Sequence, residues 1–152
     1  MTKTMKKISL LVLAVFALCI SCDEDDDLTF VRENFILGKW NLAQIGSINS
    51  QNKLVYVDYI NNTECEDDNL VFNENNTFEE NDFELINAAC QNLQTTGTFD
   101  VQDSKIVLSS TVDGVATEQT LIIVSLTFIE ITVTYTDTET NQIVFLKFLK
   151  QV

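Results

Sequence analysis

The carboxylate side chains are the residues of this sequence best suited to acid–base chemistry, because the 152-residue chain contains no histidine. Without histidine, neither a Ser–His–Asp nor a Cys–His arrangement can form. Two carboxylate pairs remain, Glu79 with Glu80 and Asp82 with Glu84. Hydrolysis of a glycosidic bond requires two carboxylates that face each other across a cleft. These pairs lie in stretches rich in turn residues, which indicates a solvated acidic surface, and we expect no enzymatic activity.

Hard oxygen ligands are concentrated in two segments, residues 64–69 (ECEDDN) and residues 73–82 (NENNTFEEND). Calcium prefers such ligands, but neither segment has the EF-hand spacing or a glycine for its sharp turn. The four glycines of the chain are too scattered to build a phosphate-binding loop. The sequence therefore predicts neither a metal site nor a cofactor.

Four cysteines are present, Cys19, Cys22, Cys65 and Cys90. A zinc site needs more ligands than two lone cysteines provide when histidine is absent. In an oxidising compartment outside the cytoplasm, Cys65 and Cys90 are expected to form a disulfide. That bond would close a loop of about 26 residues and contribute roughly 3 kcal/mol of stability.

Residues 1–21 have the composition of an export signal. Lys3, Lys6 and Lys7 precede an apolar run over residues 8–20, which is too short to cross a bilayer of about 30 Å as a helix. Three of the nine basic residues and none of the 23 acidic residues lie in this signal, so the remainder carries a formal charge of −17. Such a surface repels phosphate backbones, and we expect no nucleic-acid partner.

The remaining chain is long enough for one domain and is dominated by short apolar stretches between polar turns. Residues 28–36 space their apolar side chains as a short helical turn requires. Residues 54–59 are expected to be extended within a long first loop, and Asp113-Gly114 indicates a hairpin turn. The eight predicted strands are approximately residues 39–47, 69–73, 77–83, 95–102, 105–110, 118–126, 128–136 and 142–150.

The seventh predicted strand shows the clearest alternation of apolar and polar residues. Ile129, Ile131, Val133 and Tyr135 share one face, and polar side chains occupy the other. This alternation is typical of a half-buried antiparallel strand. Many such strands in succession indicate a sandwich or an up-and-down barrel.

The residues around Cys22 resemble the lipoprotein signals of Gram-negative bacteria, with small Ser21 before the cysteine and Leu18 upstream. The resemblance implies that Cys22 becomes the acylated first residue, with palmitate among the expected chains, and anchors the protein in the outer membrane. Several acyl chains hold a protein stably on a membrane. The acids of residues 23–27 (DEDDD) resemble an export tag for the cell surface, and they also suit a disordered tether.

The segment ILGKW, residues 36–40, places Gly38 two residues before Trp40 and resembles the start motif of lipocalins. Further matches are similar to a bacterial lipocalin-like lipoprotein family and follow in the order Cys65, DDNLVF (67–72), NNTF (75–78), Cys90 and TGTFDV (96–101). The resemblance covers roughly residues 35–149.

This resemblance implies an all-β fold, an antiparallel up-and-down eight-stranded barrel with a short N-terminal helical turn. The expected boundaries are residues 1–21 for the signal, 22–28 for the lipidated cysteine and tether, and 29–152 for the barrel. Trp40 is expected at the closed base of the barrel. Lipocalins usually place an arginine over this tryptophan, and Lys147 or Lys150 would take that position here.

Two functions fit these expectations. In the first, the barrel of a monomeric outer-membrane lipoprotein, at the cell surface or on the periplasmic side, encloses a small apolar ligand. In the second, the domain acts as an interaction module through its loops and acidic face. Aromatic side chains on predicted strands either line such a pocket or fill the lumen, and an open or a filled lumen distinguishes the two functions. The candidate ligand-lining residues are Trp40, Phe72, Phe78, Phe99, Tyr135 and Phe148.

Overall fold

The computed structural model of the protein describes residues 35–61 and 64–151. Most of these residues belong to nine strands. In chain order the strands are β1 (Gly38–Ile48), β2 (Leu54–Asp58), β3 (Asn69–Phe72), β4 (Thr77–Ile86), β5 (Ala89–Gln102), β6 (Lys105–Val112), β7 (Val115–Leu126), β8 (Glu130–Thr136) and β9 (Ile143–Lys150).

Eight of these strands form a closed antiparallel barrel. Each strand from β3 to β8 pairs with the next one in the chain, and β1 closes the circuit by pairing with both β9 and β3. This up-and-down order is the architecture that eight-stranded lipocalins share. The prediction of an all-β, antiparallel eight-stranded barrel is therefore confirmed.

The ninth strand, β2, lies outside this circuit. It pairs with Gln44–Ile48 of β1, whereas Gly38–Asn41 of β1 pairs with β3. Because both partners use the same side of β1, β2 continues the sheet where β3 has ended. The extended piece predicted within the first loop is thus a short strand of its own.

The core follows the alternation that the sequence displays. Ile131 and Val133 of β8 are buried, and Tyr135 on the same face is partly buried. Trp40 and Phe78 are among the largest side chains that are fully enclosed. The buried apolar residues are Ile36, Trp40, Leu70, Phe72, Phe78, Phe99, Val101, Ile106, Leu108, Leu121, Ile131, Val133 and Phe148.

Strand pairing is continuous around only one half of the barrel, the half that contains Trp40, which we call the closed half. In the other, open half, pairing lapses in three places. β4 pairs with β3 only as far as Asn81 and, among the described residues, has no strand partner on that side beyond it. β5 pairs with β6 only from Gly97 to Gln102, and β7 pairs with β8 only from Ile122 to Leu126. The outer part of the β6–β7 hairpin therefore separates from the strands on either side of it.

Three strands begin two or more residues away from their predicted first residues. β5 starts at Ala89 instead of Thr95, and β7 starts at Val115 instead of Glu118. Both additions lie next to two-residue hairpin turns, where the partner strand supplies backbone hydrogen bonds that do not depend on side-chain type. The turn predicted at Asp113-Gly114 is confirmed, with the positive φ angles of 52° and 78° that such hairpins require.

The third difference concerns Phe128 and Ile129, which precede β8 instead of opening it. The Glu130 N–H donates to Thr127 Oγ1 over 2.9 Å, and the Thr127 N–H donates to Glu130 O over 2.8 Å. These bonds fold residues 127–130 into a turn. The Phe128 ring is 73% exposed and stacks on Phe35 with 4.3 Å between ring centroids.

Most of the predicted helical turn over residues 28–36 lies outside the described residues; Phe35 and Ile36 have helical geometry. The predicted signal, Cys22 and the acidic tether also lie outside them. Within the described part of the chain, no helix is long and apolar enough to span a bilayer.

Candidate functional site

Trp40 is fully buried at the base of the closed half. Its indole Nε1–H donates to the backbone oxygen of Ile36 over 2.5 Å, so the buried ring nitrogen is satisfied. The amino group of Lys150, from the last strand, lies 5.0 Å from the centroid of the indole ring. Lys147 instead lies 5.0 Å from the Tyr56 ring and forms an ion pair with Glu130. Of the two predicted candidates, Lys150 is therefore the residue over the tryptophan.

Most of the aromatic residues predicted as ligand contacts are packed against one another in the core. Phe72 and Phe99 meet edge to face, with 5.0 Å between ring centroids. Phe78 and Phe148 are also buried, each with less than a twentieth of its surface exposed. These side chains pack in the closed half, whereas Tyr135 lines the cavity described below.

The Cys65–Cys90 disulfide is confirmed, with 5.5 Å between the Cα atoms. It ties the loop between β2 and β3 to the start of β5. Asp68 connects the same loop to β4, because its carboxylate accepts the Phe83 N–H at 2.8 Å. The same carboxylate also accepts the Tyr59 hydroxyl. Burial and the bond to Asp68 raise the pKa of Tyr59.

A cavity of about 790 Å³ opens between β7 and β8 in the open half. It lies where the two strands part after Ile122 and Thr134, the last pair of their register. Side chains from both faces of the sheet therefore reach it. The lining residues are Glu118, Gln119, Thr120, Ile122, Thr134, Tyr135, Thr136, Asp137, Thr138, Glu139 and Ile143.

Two lining residues have shifted pKa values. Burial raises the pKa of the Tyr135 hydroxyl, and the negative charges of Asp137 and Glu80 raise it further. Backbone N–H groups of Glu139 and Thr140 donate to Asp137 Oδ1 over 2.8 and 3.2 Å, which lowers the pKa of that carboxyl. At neutral pH the cavity thus combines a neutral phenol with a firmly ionised carboxylate.

Acidic residues also lie on the face of β4 that carries Phe78; Glu80 is half-buried there, whereas Asp82 and Glu84 are exposed. Glu80 and Asp82 face Thr95 and Leu93 across the β4–β5 pair, on the same face as buried Phe78. Burial raises the pKa of both carboxyls, and neighbouring carboxylates raise it further. The expectation that these acids lie on the outer surface is wrong for Glu80, which is half-buried inside the barrel.

The alternation of β4 contained the signal for this placement, since Phe78 and Glu80 are two residues apart and must share a face. No comparable signal marks the cavity, because it results from the separation of β7 and β8. Among residues 35–61 and 64–151, no group of three or more histidine, cysteine, aspartate or glutamate side chains is arranged to hold a metal ion.

Comparison with known proteins supports the fold. A crystal structure of an uncharacterized protein from Bacteroides eggerthii is 15% identical, with a TM-score of 0.52, and the match covers 76% of this chain and 99% of that one. Bovine odorant-binding protein in complex with a selenium-containing odorant is 18% identical, covering 79% and 73% of the two chains at a TM-score of 0.41.

A deswapped triple mutant of the bovine protein gives 19% identity and a TM-score of 0.39, covering 78% of this chain and 75% of that one. No family model and no curated protein matches the chain. With a TM-score above one half, the Bacteroides protein supports the barrel architecture alone. The TM-scores of the bovine structures fall below that level.

Proposed function

We propose that this chain is a lipid-anchored, non-catalytic binding protein of the outer membrane of a Gram-negative bacterium, displayed at the cell surface, with a lipocalin-like barrel. Its ligand is a small, largely apolar molecule held in the cavity between β7 and β8. That cavity is the observation on which the proposed ligand binding rests. The chain contains no histidine to act as a general base, and the proposed function does not include catalysis.

The size and lining of the cavity suit such a ligand. Pockets for small molecules commonly have volumes of about 300–1,000 Å³, and this half-open cavity has a volume of about 790 Å³. Ile122 and Ile143 supply apolar surface, and both are about half exposed without a ligand. The Tyr135 hydroxyl and the threonines offer polar groups that fix the orientation of a ligand.

A neutral fluorescent probe, N-phenyl-1-naphthylamine, tests this assignment. We expect saturable binding to the folded domain. Ile143→Glu places a carboxylate against the apolar part of the cavity and should weaken binding about tenfold or more. Leu149→Glu is the matched control, since Leu149 of β9 is 46% exposed, comparable to Ile143 at 52%, and does not line the cavity. Absence of binding, or equal losses in both variants, would remove the proposal.

The proposed membrane anchor has a separate test. Cys22→Ala should abolish incorporation of labelled palmitate and release the protein from the membrane fraction. Lipidation that persists in this variant would exclude Cys22 as the attachment site. Protease treatment of intact cells distinguishes the cell surface from the periplasmic side of the outer membrane.

A second candidate function is an interaction module that acts through its loops and acidic face. The observation that favours it is the packing of aromatic and aliphatic side chains against one another in the closed half. The disulfide-linked loop before β3 then supplies the functional surface. A formal charge of −17 opposes self-association, so we expect a monomer in gel filtration with light scattering.

A further inference from the structure

The first half of β5 has a free edge. Ala89–Thr98 pairs with β4 along one side, but pairing with β6 on the other side begins only at Gly97. Eight residues, Ala89–Thr96, therefore have no strand partner on that side among the described residues. Seven of them are exposed, and Thr95 is intermediate. Their outward backbone N–H and C=O groups form a template for another strand.

Apart from the loop tied to it by the disulfide at Cys90, this edge lacks the devices with which natural sheets block further pairing. Charged residues, prolines and bulges usually protect an exposed edge. The segment ACQNLQTT contains no charged residue, no proline and no glycine, and its pairing with β4 runs without a register shift. An eight-residue edge is long enough to bind an extended peptide through main-chain hydrogen bonds.

The neighbouring strand indicates the charge of the partner. Glu80, Asp82 and Glu84 lie in a row on the interior face of β4, opposite Thr95, Leu93 and Gln91 of β5. The ion pairs of the described residues join Lys39 to Glu66 and Lys147 to Glu130, so none involves this row. Burial and neighbouring carboxylates raise the pKa of Glu80 and Asp82, the direction expected for carboxylates without a cationic partner.

We propose that a basic, extended segment of a partner protein adds to the barrel as a strand along Ala89–Thr96. Its backbone bonds the free edge, and alternate lysine or arginine side chains reach across β5 toward Glu80, Asp82 and Glu84. Two strand spacings place that segment about 10 Å from β4, within reach of long cationic side chains. A second copy of this chain would bring a second row of acids to the edge, which like-charge repulsion opposes.

This surface is distinct from the cavity between β7 and β8, so the inference stands independently of the small-molecule ligand. The test uses backbone amide hydrogen exchange of the folded domain, followed residue by residue by NMR. The probe is an eight-residue peptide in which lysine and threonine alternate. We expect exchange of alternate amides within Ala89–Thr96 to slow about tenfold or more, with β8 unaffected.

Two control peptides separate backbone pairing from charge. Glutamate in place of lysine should abolish protection, and N-methylation of alternate peptide bonds should abolish it while keeping the positive charge. Leu93→Lys places a like charge inside the edge and should remove binding. Leu149→Lys is its matched control, because Leu93 is 47% exposed and Leu149 is 46% exposed.

Three results would overturn the inference. They are no protection at millimolar lysine peptide, equal protection by the N-methylated peptide, and equal binding to the folded Leu93→Lys and Leu149→Lys proteins. Protection without peptide that grows with protein concentration would assign the edge to a second copy and would also overturn it.

Discussion

The amino group of Lys150 lies 5.0 Å from the centroid of the Trp40 ring and donates to the backbone oxygen of Phe35 over 3.3 Å. The last strand thereby covers the tryptophan of the first strand and bonds the segment that precedes it. Gly38 provides the space, since a Cβ atom there would lie 3.0 Å from Lys150 Cε. One lysine thus joins both ends of the barrel at its closed base.

Removing this charge is expected to weaken the base of the barrel. Lys150→Met keeps an aliphatic stem over the indole but loses the cation–π contact and the bond to Phe35. We predict a loss of about 1 kcal/mol in the free energy of unfolding, measured by urea denaturation. Lys150→Arg should retain the wild-type stability or exceed it, because the planar guanidinium stacks and donates more bonds.

Lys53→Met is the control for this change, since exposed Lys53 lies in the turn before β2, away from the base. It should leave the free energy of unfolding within about 0.5 kcal/mol of wild type. Equal losses in the Lys53 and Lys150 variants would contradict a specific role for the contact with Trp40.

The disulfide offers a second prediction. Cys65 and Cys90 are separated by 25 positions, and their bond holds the loop before β3 against the start of β5. The double variant Cys65→Ala, Cys90→Ala should lose about 3 kcal/mol in the free energy of unfolding, chiefly through the greater entropy of the unfolded chain. A reducing agent should destabilise the wild-type protein by a similar amount and leave the variant unchanged. An unaltered transition in reduced wild-type protein would refute this role.

The sequence was informative where local pattern and tertiary packing agree. Alternation in the seventh predicted strand marked Ile131 and Val133 as core residues, and both are buried. The lipocalin resemblance implied a packed position for Trp40, and its side chain is fully buried. The match in the seventh predicted strand is partial, because Thr132 on the opposite face of β8 is also buried and Ile129, predicted on the apolar face, is 63% exposed.

The open half was not predictable in the same way. Residues 89–94 (ACQNLQ) mix apolar and polar side chains without a regular alternation, and they are strand because the turn at Asn87-Ala88 aligns them with β4. The cavity and the free edge arise where β7 leaves β8 and β5 leaves β6. These separations depend on how far along their length neighbouring antiparallel strands stay within hydrogen-bonding distance. No single stretch of the sequence determines that distance.

Gly97 supplies a third prediction, at the point where β5 and β6 begin to pair. A Cβ atom at this position would lie 2.1 Å from the backbone oxygen of Ser109 and 2.7 Å from Phe78 Cε1. Moving either the paired backbone or the buried ring aside costs free energy of folding. Gly97→Ala should therefore lower the free energy of unfolding by about 3 kcal/mol or more.

The control for this variant is Gly114→Ala, in the β6–β7 hairpin turn. A Cβ atom there meets nothing within 4 Å, so only the positive φ of 78° opposes the alanine. We expect a cost of about 1–2 kcal/mol, measured by the same denaturation. A Gly97 variant no less stable than the Gly114 variant would show that β5 and β6 do not approach as described.

The final prediction concerns pH and Glu80. Burial and the charges of Asp82 and Asp68 raise the pKa of Glu80 in the folded protein above the ordinary value of 4.5. Between these two values the folded state holds a proton that the unfolded state has released. Stability contributed by Glu80 is therefore fully present below the ordinary pKa and is lost as pH rises through the raised one. Glu80→Gln removes the ionisable group while keeping a side chain of similar shape.

The variant should therefore melt at a higher temperature than wild type at pH 7, and the difference should shrink as the pH falls through the raised pKa of Glu80 and be largely gone below about 4.5. Glu74→Gln is the matched control, because exposed Glu74 lies in the turn between β3 and β4. Its effect on the melting temperature should be small at both pH values. If Glu80→Gln is no more stable than wild type at pH 7, its carboxylate is not held under strain in the barrel interior. The acidic row on β4 would then attract a cationic partner much less strongly than we infer.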